Sequence, residues 1–399
     1  MFTQGVSITR AIGICVGVVW ILYKVNEIVI NRKRIKMSKQ NFTLILLLSF
    51  YLLISLASFL VAKNTSMSLT KFRSLVMLFI MTIIFYDQFR AKRNFEIAYK
   101  VLTYSGIIIS VFLIIQYLTG KVFTNVNLYH YQVFEGNIRA TGTYVDPNYA
   151  ALNMIPLIPF SYYLFKKSQV KMVKLFVGLG FITSIVARLV SFSRSAYLSL
   201  MAVGTLIFLV EKKKTKNIAI IGLVWIIIAY FFPFEKILLR FNTMSGFIGN
   251  LNKPLYLAQN YPSLWQRYYI LKDGWHMITR NFFTGVGLGN FMTEYPKYSY
   301  TFHKVRCAHN TYIGVMGELG IFGIIVFLAI IFLAWGNLKL AKIIFKEESL
   351  KDMVQGLKIG LFGFLFGTLF LTAQYERIFW VILAFSMIAY SVAMKEKIT

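Results

Sequence analysis

Apolar runs of 15 to 25 residues recur from one end of the chain to the other, separated by short clusters of Lys and Arg. A run of that length is what a helix rising about 1.5 Å per residue needs to cross about 30 Å of hydrocarbon. In lipid, only a helix or a closed barrel satisfies its own backbone. Charged residues make up 15% of the chain and hydrophobic residues 57%, whereas a soluble domain is about 25% charged. The pattern therefore predicts an all-α, polytopic integral membrane helix bundle and excludes an ordinary water-soluble fold. The net charge of +28 raises nucleic acid as a partner. However, the basic residues lie between apolar runs, as at Arg32 to Lys36 and Lys212 to Lys214. That is the signature of cytoplasmic loops beside a lipid bilayer, so no nucleic-acid partner is expected.

About eleven transmembrane helices are expected, near 6–23, 42–62, 74–87, 98–118, 147–165, 172–189, 195–211, 217–232, 311–335, 356–373 and 377–394. Linkers rich in Lys and Arg alternate with linkers poorer in them, which puts the N-terminus outside and the C-terminus inside. Span 74–87 is the weakest, being short and ending in Asp87. If it did not cross, every later loop would invert and the alternation would fail. The first run begins almost at the N-terminus with Arg10 as its only upstream charge, so it reads as a helix and not as a cleavable signal. The two cysteines, Cys15 and Cys307, fall in the first apolar run and in a hydrophilic insertion, an arrangement that makes an intrachain disulfide unexpected.

The organisation is then a single membrane domain, residues 1–399, with an extracytoplasmic loop at 233–308 inserted between transmembrane helices eight and nine. Leu264, Tyr268, Leu271, Trp275 and Ile278 recur at three- and four-residue spacing within that loop. They predict an amphipathic helix lying on the membrane or capping the bundle.

The densest local pattern is His309 to Gly323, HNTYIGVMGELGIFG, where a His and an Asn enter the ninth span. Gly314, Gly317, Gly320 and Gly323 recur every third residue, as on a helix face that neighbours approach closely. On spacing alone a packing face with an interfacial His explains it equally well. The same residues resemble the signature of the O-antigen ligase and O-antigen polymerase superfamily: His, then Asn, Ser or Gln, nine residues, Gly, two residues, Gly. Ser191 to Leu200 (SFSRSAYLSL) and Trp265 to Phe291 (WQRYYILKDGWHMITRNFFTGVGLGNF) resemble that family's Ser-x-x-Arg segment and its loop helix with a Gly-x-Gly turn. The resemblance covers roughly residues 139 to 335. Before that, the first four spans match only in hydropathy.

The resemblance implies an inverting membrane glycosyltransferase of the bacterial cytoplasmic (inner) membrane, with its active site on the extracytoplasmic face. It would take a glycan from a polyprenyl (undecaprenyl) diphosphate. The family's two essential arginines would be Arg194 and Arg267, and its histidine His309. Arginine suits a departing diphosphate, because it pairs with phosphate oxygens bidentately and stays charged. As general base on an acceptor hydroxyl, His309 has to be neutral near pH 7, a state that neighbouring arginines favour.

Arg139, Arg188, Asn148, Asn310 and Glu318 are candidate substrate-binding residues. Arg188 lies within the sixth span, where an unpartnered cation is costly; a bound anion or snorkelling to headgroups would each relieve it. Asp146 before Pro147 reads as an ordinary helix cap. Glu318, an ionisable group inside a span, fits structural pairing or catalysis alike.

Metal ligation is not expected. The chain has four Asp (Asp87, Asp146, Asp273 and Asp352), no Asp-x-Asp or Asp-Asp pair, and no His-Glu-x-x-His motif; no cofactor is expected either. His130, His276 and His303 read as interfacial residues. Expected partners are the lipid-linked oligosaccharide donor, a glycan acceptor, the bilayer and a chain-length regulator. A polymerase, whose acceptor is another lipid-linked repeat of a surface polysaccharide such as O-antigen or capsule, is favoured over a ligase, whose acceptor is a terminal lipid or surface molecule. A transporter or flippase of the lipid-linked glycan is the alternative of a different class. It predicts charges deep in several spans and inverted repeats, whereas mid-span charges are sparse here.

Overall fold

The computed structural model describes residues 8–27, 37–121, 133–134, 137–142, 144, 146–211, 234–300 and 305–398. The chain is an all-α polytopic membrane bundle. Its helices are α1 (Ile8–Val25), α2 (Lys39–Ala57), α3 (Thr65–Phe89), α4 (Lys92–Thr119), α5 (Pro147–Met154), α6 (Leu157–Lys167), α7 (Lys171–Leu189) and α8 (Arg194–Val210). They continue as α9 (Phe234–Gly249), α10 (Pro254–Asn260), α11 (Pro262–Arg280), α12 (Phe291–Tyr298), α13 (Thr311–Ile344), α14 (Glu348–Gly367) and α15 (Arg377–Ile398). Two short strands, β1 (Val133–Phe134) and β2 (Asn137–Ile138), pair antiparallel. The eighth expected span, 217–232, lies outside the described residues, as do His130 and His303.

Six of the described helices are long and apolar enough to cross a membrane: α2 with its 3-10 extension to Leu60, α3, α4, α7, α13 and α15. The doubtful span 74–87 becomes the 25-residue α3. It begins where Asn64 accepts a hydrogen bond from the Met67 amide at 3.0 Å and so caps the helix. Span 147–165 is broken in two instead. Asp146 caps α5, Pro147 takes its first position, and Pro156 separates α5 from α6 because proline lacks the amide that continues a helix.

The bundle has two unlike faces. Lys24, Lys92, Lys166, Lys167 and Lys351 sit at one end of their helices in ion pairs with Asp87, Glu347, Asp352, Glu96 and Glu348. This is the basic face; at the opposite end α9 to α12 form the loop face. Between them the core centres on α13, which packs on α15, α2 and α14 through side chains such as Phe327, Leu338, Leu357 and Trp380.

The 34 residues of α13 extend about 51 Å, well beyond the hydrocarbon thickness, and it is not one straight rod. Gly320 has φ 66 and ψ −166, a conformation closed to residues with a Cβ. A Cβ there would run into the Phe283 carbonyl. The backbone groups freed by the break are satisfied by the glycine turn after α11: Val286 and Gly287 amides donate to the Gly317 and Glu318 carbonyls, both at 2.9 Å, and the Ile321 amide donates to the Phe282 carbonyl at 2.8 Å. Gly287 (φ 95) lies against Ala62 at the end of the α2 extension, with its notional Cβ 2.6 Å away. The glycine turn thus joins α2, α11 and the break in α13.

The expected amphipathic helix is α11, but the face it packs differs from the expected stripe. Ile270, Asp273, Gly274, Met277 and Ile278 are buried against the bundle, while Tyr268, Leu271 and Trp275 are exposed. Asp273 causes the shift. It accepts hydrogen bonds from Tyr295 Oη at 2.8 Å and Ser299 Oγ at 2.6 Å, so a carboxylate that reads as a surface residue holds α12 onto α11.

Candidate functional site

The turn between α14 and α15, residues 368–376, is the frame on which the candidate residues meet. Five successive carbonyl oxygens in it accept hydrogen bonds from three separate segments. Thr368 O accepts from the Thr311 amide at 2.9 Å, Leu369 O from Asn310 Nδ2 at 3.0 Å and Phe370 O from Arg267 Nη1 at 3.4 Å. Leu371 O accepts from Thr311 Oγ1 at 2.7 Å and Thr372 O from Tyr149 Oη at 3.0 Å. α5, α11 and the entrance to α13 are therefore fastened side by side, and Arg267 lies beside the segment carrying His309. Helix ends leave carbonyls without intrahelical partners; here α14 ends by giving its carbonyls to the site.

Arg194 joins from the opposite flank. It starts α8, and its guanidinium donates to Thr243 Oγ1 at 3.3 Å and Ser263 Oγ at 2.6 Å. Ser263 stands one helical turn before Arg267 on α11, a spacing that makes the two positions neighbours on the helix surface. Arg139 and Asn148 form a third group: Arg139 Nε donates to the Ser191 carbonyl at 2.9 Å and Nη2 to Asn148 Oδ1 at 3.1 Å. The Arg139 segment is itself held by Gln116, whose Oε1 accepts from the Thr141 and Gly142 amides at 3.1 and 2.7 Å.

Backbone strain falls on the same two segments. Among the described residues other than glycine, only Phe192 (φ 49) and His309 (φ 48) have positive φ, which is uncommon for a side chain of this bulk. Phe192 lies two residues before Arg194. Such conformations persist only where surroundings impose them, and they gather at working sites. At His309 the imposing bonds are those of Asn310, which caps α13 by accepting from the Ile313 amide at 3.0 Å while donating to Leu369.

His309 is mostly buried. Its Nε2 lies 3.4 Å from Cys307 Sγ, and its Nδ1 has no hydrogen-bond partner among the described residues. Burial, reinforced by the Arg267 and Arg306 charges and opposed by Asp146, pushes its pKa down to about 4, so the imidazole is neutral at pH 7. Burial likewise lowers the Arg267 pKa, with Asp146, Cys307 and Tyr149 acting the other way; an arginine remains a cation there all the same. Burial raises the Cys307 thiol, which keeps it protonated.

Of the expected residues, Arg188 is not brought to this frame, and Glu318 meets only its far end. Arg188 is fully buried; its guanidinium donates to the Ser184 carbonyl, to Ser110 Oγ at 3.2 Å and to the Met154 carbonyl at 2.5 Å. It closes the C-terminal end of α5, where a cation complements the helix dipole, and reaches neither headgroups nor the mouth of the bundle. Glu318 is buried at the α13 break, accepting from Gln374 Nε2 at 3.2 Å and Tyr375 Oη at 3.4 Å. Those contacts tie the 368–376 turn to the glycine turn. His276 bonds the Tyr298 carbonyl through Nδ1 at 3.1 Å, within the α11–α12 layer.

Sequence reasoning missed Tyr149, Cys307, Arg306 and the carbonyl row. Tyr149 stands next to Asn148, one of the candidate residues, and that adjacency was the signal available. Backbone acceptors carry none.

Residues 179–328 match the family model described as O-antigen ligase, a stretch running from α7 through the break in α13, and the match supports the resemblance to the O-antigen ligase and polymerase superfamily. No curated protein matches the chain.

Proposed function

We propose that the chain is a metal-independent, inverting glycosyltransferase that moves a glycan from a polyprenyl diphosphate to an acceptor hydroxyl, and that it elongates a surface polysaccharide as a polymerase. The observation that carries this reading is the meeting of Arg267 and the His309 segment on the 368–376 turn, with Arg194 bonded to Ser263 one helical turn before Arg267 on α11. In the reaction the acceptor oxygen attacks the anomeric carbon from the side opposite the diphosphate. The bond from that carbon to the diphosphate oxygen breaks, its electron pair stays on the departing oxygen, and the acceptor proton passes to His309.

Arg194 and Arg267 hold the diphosphate as its negative charge grows, which is where preorganised cations lower a barrier most. A neutral imidazole is the form that can take the proton. Arg139 and Asn148, joined by their own hydrogen bond, stand beside α5 to receive the donor's sugar or phosphate. In this reading the guanidinium groups of Arg194 and Arg267 supply the cationic charge that a metal would otherwise bring to the departing diphosphate.

The charge alternation of the linkers supports an extracytoplasmic loop face in the bacterial inner membrane, with 233–308 as a loop inserted in one membrane domain. The test is reconstitution in vesicles with purified lipid-linked donor and excess chelator. Self-elongation of the donor is the expected result. Inactivity until a second acceptor is added shows a ligase, and a strict need for added magnesium overturns the metal-free mechanism.

A further inference from the structure

The cap of α5 stands among the charges of the site. Asp146 Oδ1 accepts from the Asn148 amide at 2.6 Å, and its other carboxylate oxygen makes no hydrogen bond among the described residues. Three residues on, Tyr149 fastens α5 to the Thr372 carbonyl, two positions from the carbonyl that receives Arg267. Gly314, one helical turn into α13, has its notional Cβ 3.3 Å from Thr372 and 3.6 Å from Ala308, the neighbour of His309. These contacts fasten the first turn of α5 to the same carbonyl row that holds Arg267 and Asn310, the neighbour of His309. The charged groups near enough for their fields to act on His309 are Arg267, Arg306 and Asp146, with the Cys307 thiol in contact. The field of Asp146 acts in turn on His309, Arg267, Cys307 and Tyr149. Asp146 is the one acid in the set.

We infer that Asp146 is a positioning residue of the transfer reaction, the counter-charge that lets His309 become an imidazolium between Arg267 and Arg306. The inference rests on the reading of His309 as base. When the acceptor proton arrives, the imidazole gains a positive charge beside two guanidinium groups, and like charges oppose that gain. A fixed carboxylate offsets it, as carboxylates do beside catalytic histidines. The same carboxylate faces Arg267, which the donor diphosphate must also approach. Asp146 therefore has two effects of opposite sign: it makes His309 a stronger base, and it repels the anionic donor.

Asn caps helices as well as Asp, so Asp146→Asn removes the charge and keeps the fold of α5. In proteoliposomes with purified donor, Asp146→Asn is expected to lower kcat by about tenfold while donor KM falls severalfold. The acid limb of kcat should move about one pH unit downward, because loss of a neighbouring negative charge lowers the pKa of His309. Asp146→Glu, which restores the charge, should return the limb toward its original position. An Asp146→Asn profile with an unmoved limb, or a kcat loss accompanied by a raised KM, overturns the inference and leaves Asp146 as a cap alone. His309→Ala separates the two levels. Activity in that variant removes the base reading itself, whereas an inactive His309→Ala with an unmoved Asp146→Asn limb removes only the role of Asp146.

Discussion

The two ends of the bundle solve the problem of buried or half-buried cations in opposite ways. On the basic face, Lys24 meets Asp87 at 2.9 Å, Lys167 meets Glu96 at 2.8 Å, and Lys166 is shared between Glu211 at 3.2 Å and Asp352 at 3.0 Å. On the loop face, Arg267 is held by a neutral carbonyl at 3.4 Å, and no acid among the described residues lies within ion-pair distance of it. Lys297 and Glu294, on α12, are the ion pair of that face. Partnered lysines are finished interactions; a cation fixed by a neutral carbonyl keeps most of its charge for something else. The strained φ values, the broken α13 and the depressed His309 all lie on that second face, in keeping with strain being kept where chemistry is done.

The largest expected effect is on the base. His309→Ala should cut polymer formation by about three orders of magnitude, the range of general-base removal, with lipid-linked repeat accumulating and the protein still folded in the membrane. Wild-type polymer in that variant ends the base assignment. Next comes Arg267→Lys, which keeps the charge but loses the planar fork. A fall of about a hundredfold in kcat/KM is expected, in line with loss of one preorganised donor, and an unaffected enzyme shows that Arg267 serves only to brace the 368–376 turn.

The pH profile sharpens the contrast further. In the free enzyme His309 titrates near 4, below its ordinary value of about 6.5. A base role requires the neutral form, which is present above the folded pKa and lost as pH falls through it. kcat/KM should therefore keep an acid limb well below 6. In the donor complex the diphosphate adds negative charge and raises the pKa, so the acid limb of kcat should lie at higher pH than that of kcat/KM. Coincident limbs contradict a diphosphate bound beside His309.

The smallest effect belongs to the basic face. Lys92 and Glu347 are about half exposed, so Lys92→Gln should change stability by no more than about 1 kcal/mol and leave turnover at the wild-type level. A large loss of turnover there removes the distinction between the two faces.

Much of the fold was legible because hydrophobic length and linker charge are local properties. α7 and the start of α13 fall within a residue or so of expectation. α3 was truncated because Lys71 and Arg73 depress its hydropathy near the loop face. In the structure Lys71 lies over the Tyr375 ring, 4.9 Å from its centroid, so its charge does not end the helix. The inward face of α11 was not legible because a buried Asp273 counts as polar in any periodicity, yet two hydroxyls make it an inward residue. Arg194, Arg267 and His309, named by the motif resemblance, lie far apart in sequence, and the fold carries them to α11 and the 368–376 turn. The fate of Arg188 was not legible, since its partners are mostly backbone carbonyls, and backbone carbonyls look alike in every sequence. The same holds for the 368–372 row and for the break at Gly320, where a regular three-residue glycine spacing reads as unbroken helix.

The central claim is that Arg194 and Arg267 hold one diphosphate between them, and a double-mutant cycle on donor affinity tests it directly. Binding of the polyprenyl-diphosphate donor to wild type, Arg194→Ala, Arg267→Ala and the double variant should be non-additive, with a coupling of about 0.5 to 3 kcal/mol. Losses that simply add, or single variants that bind donor as tightly as wild type, contradict a shared ligand.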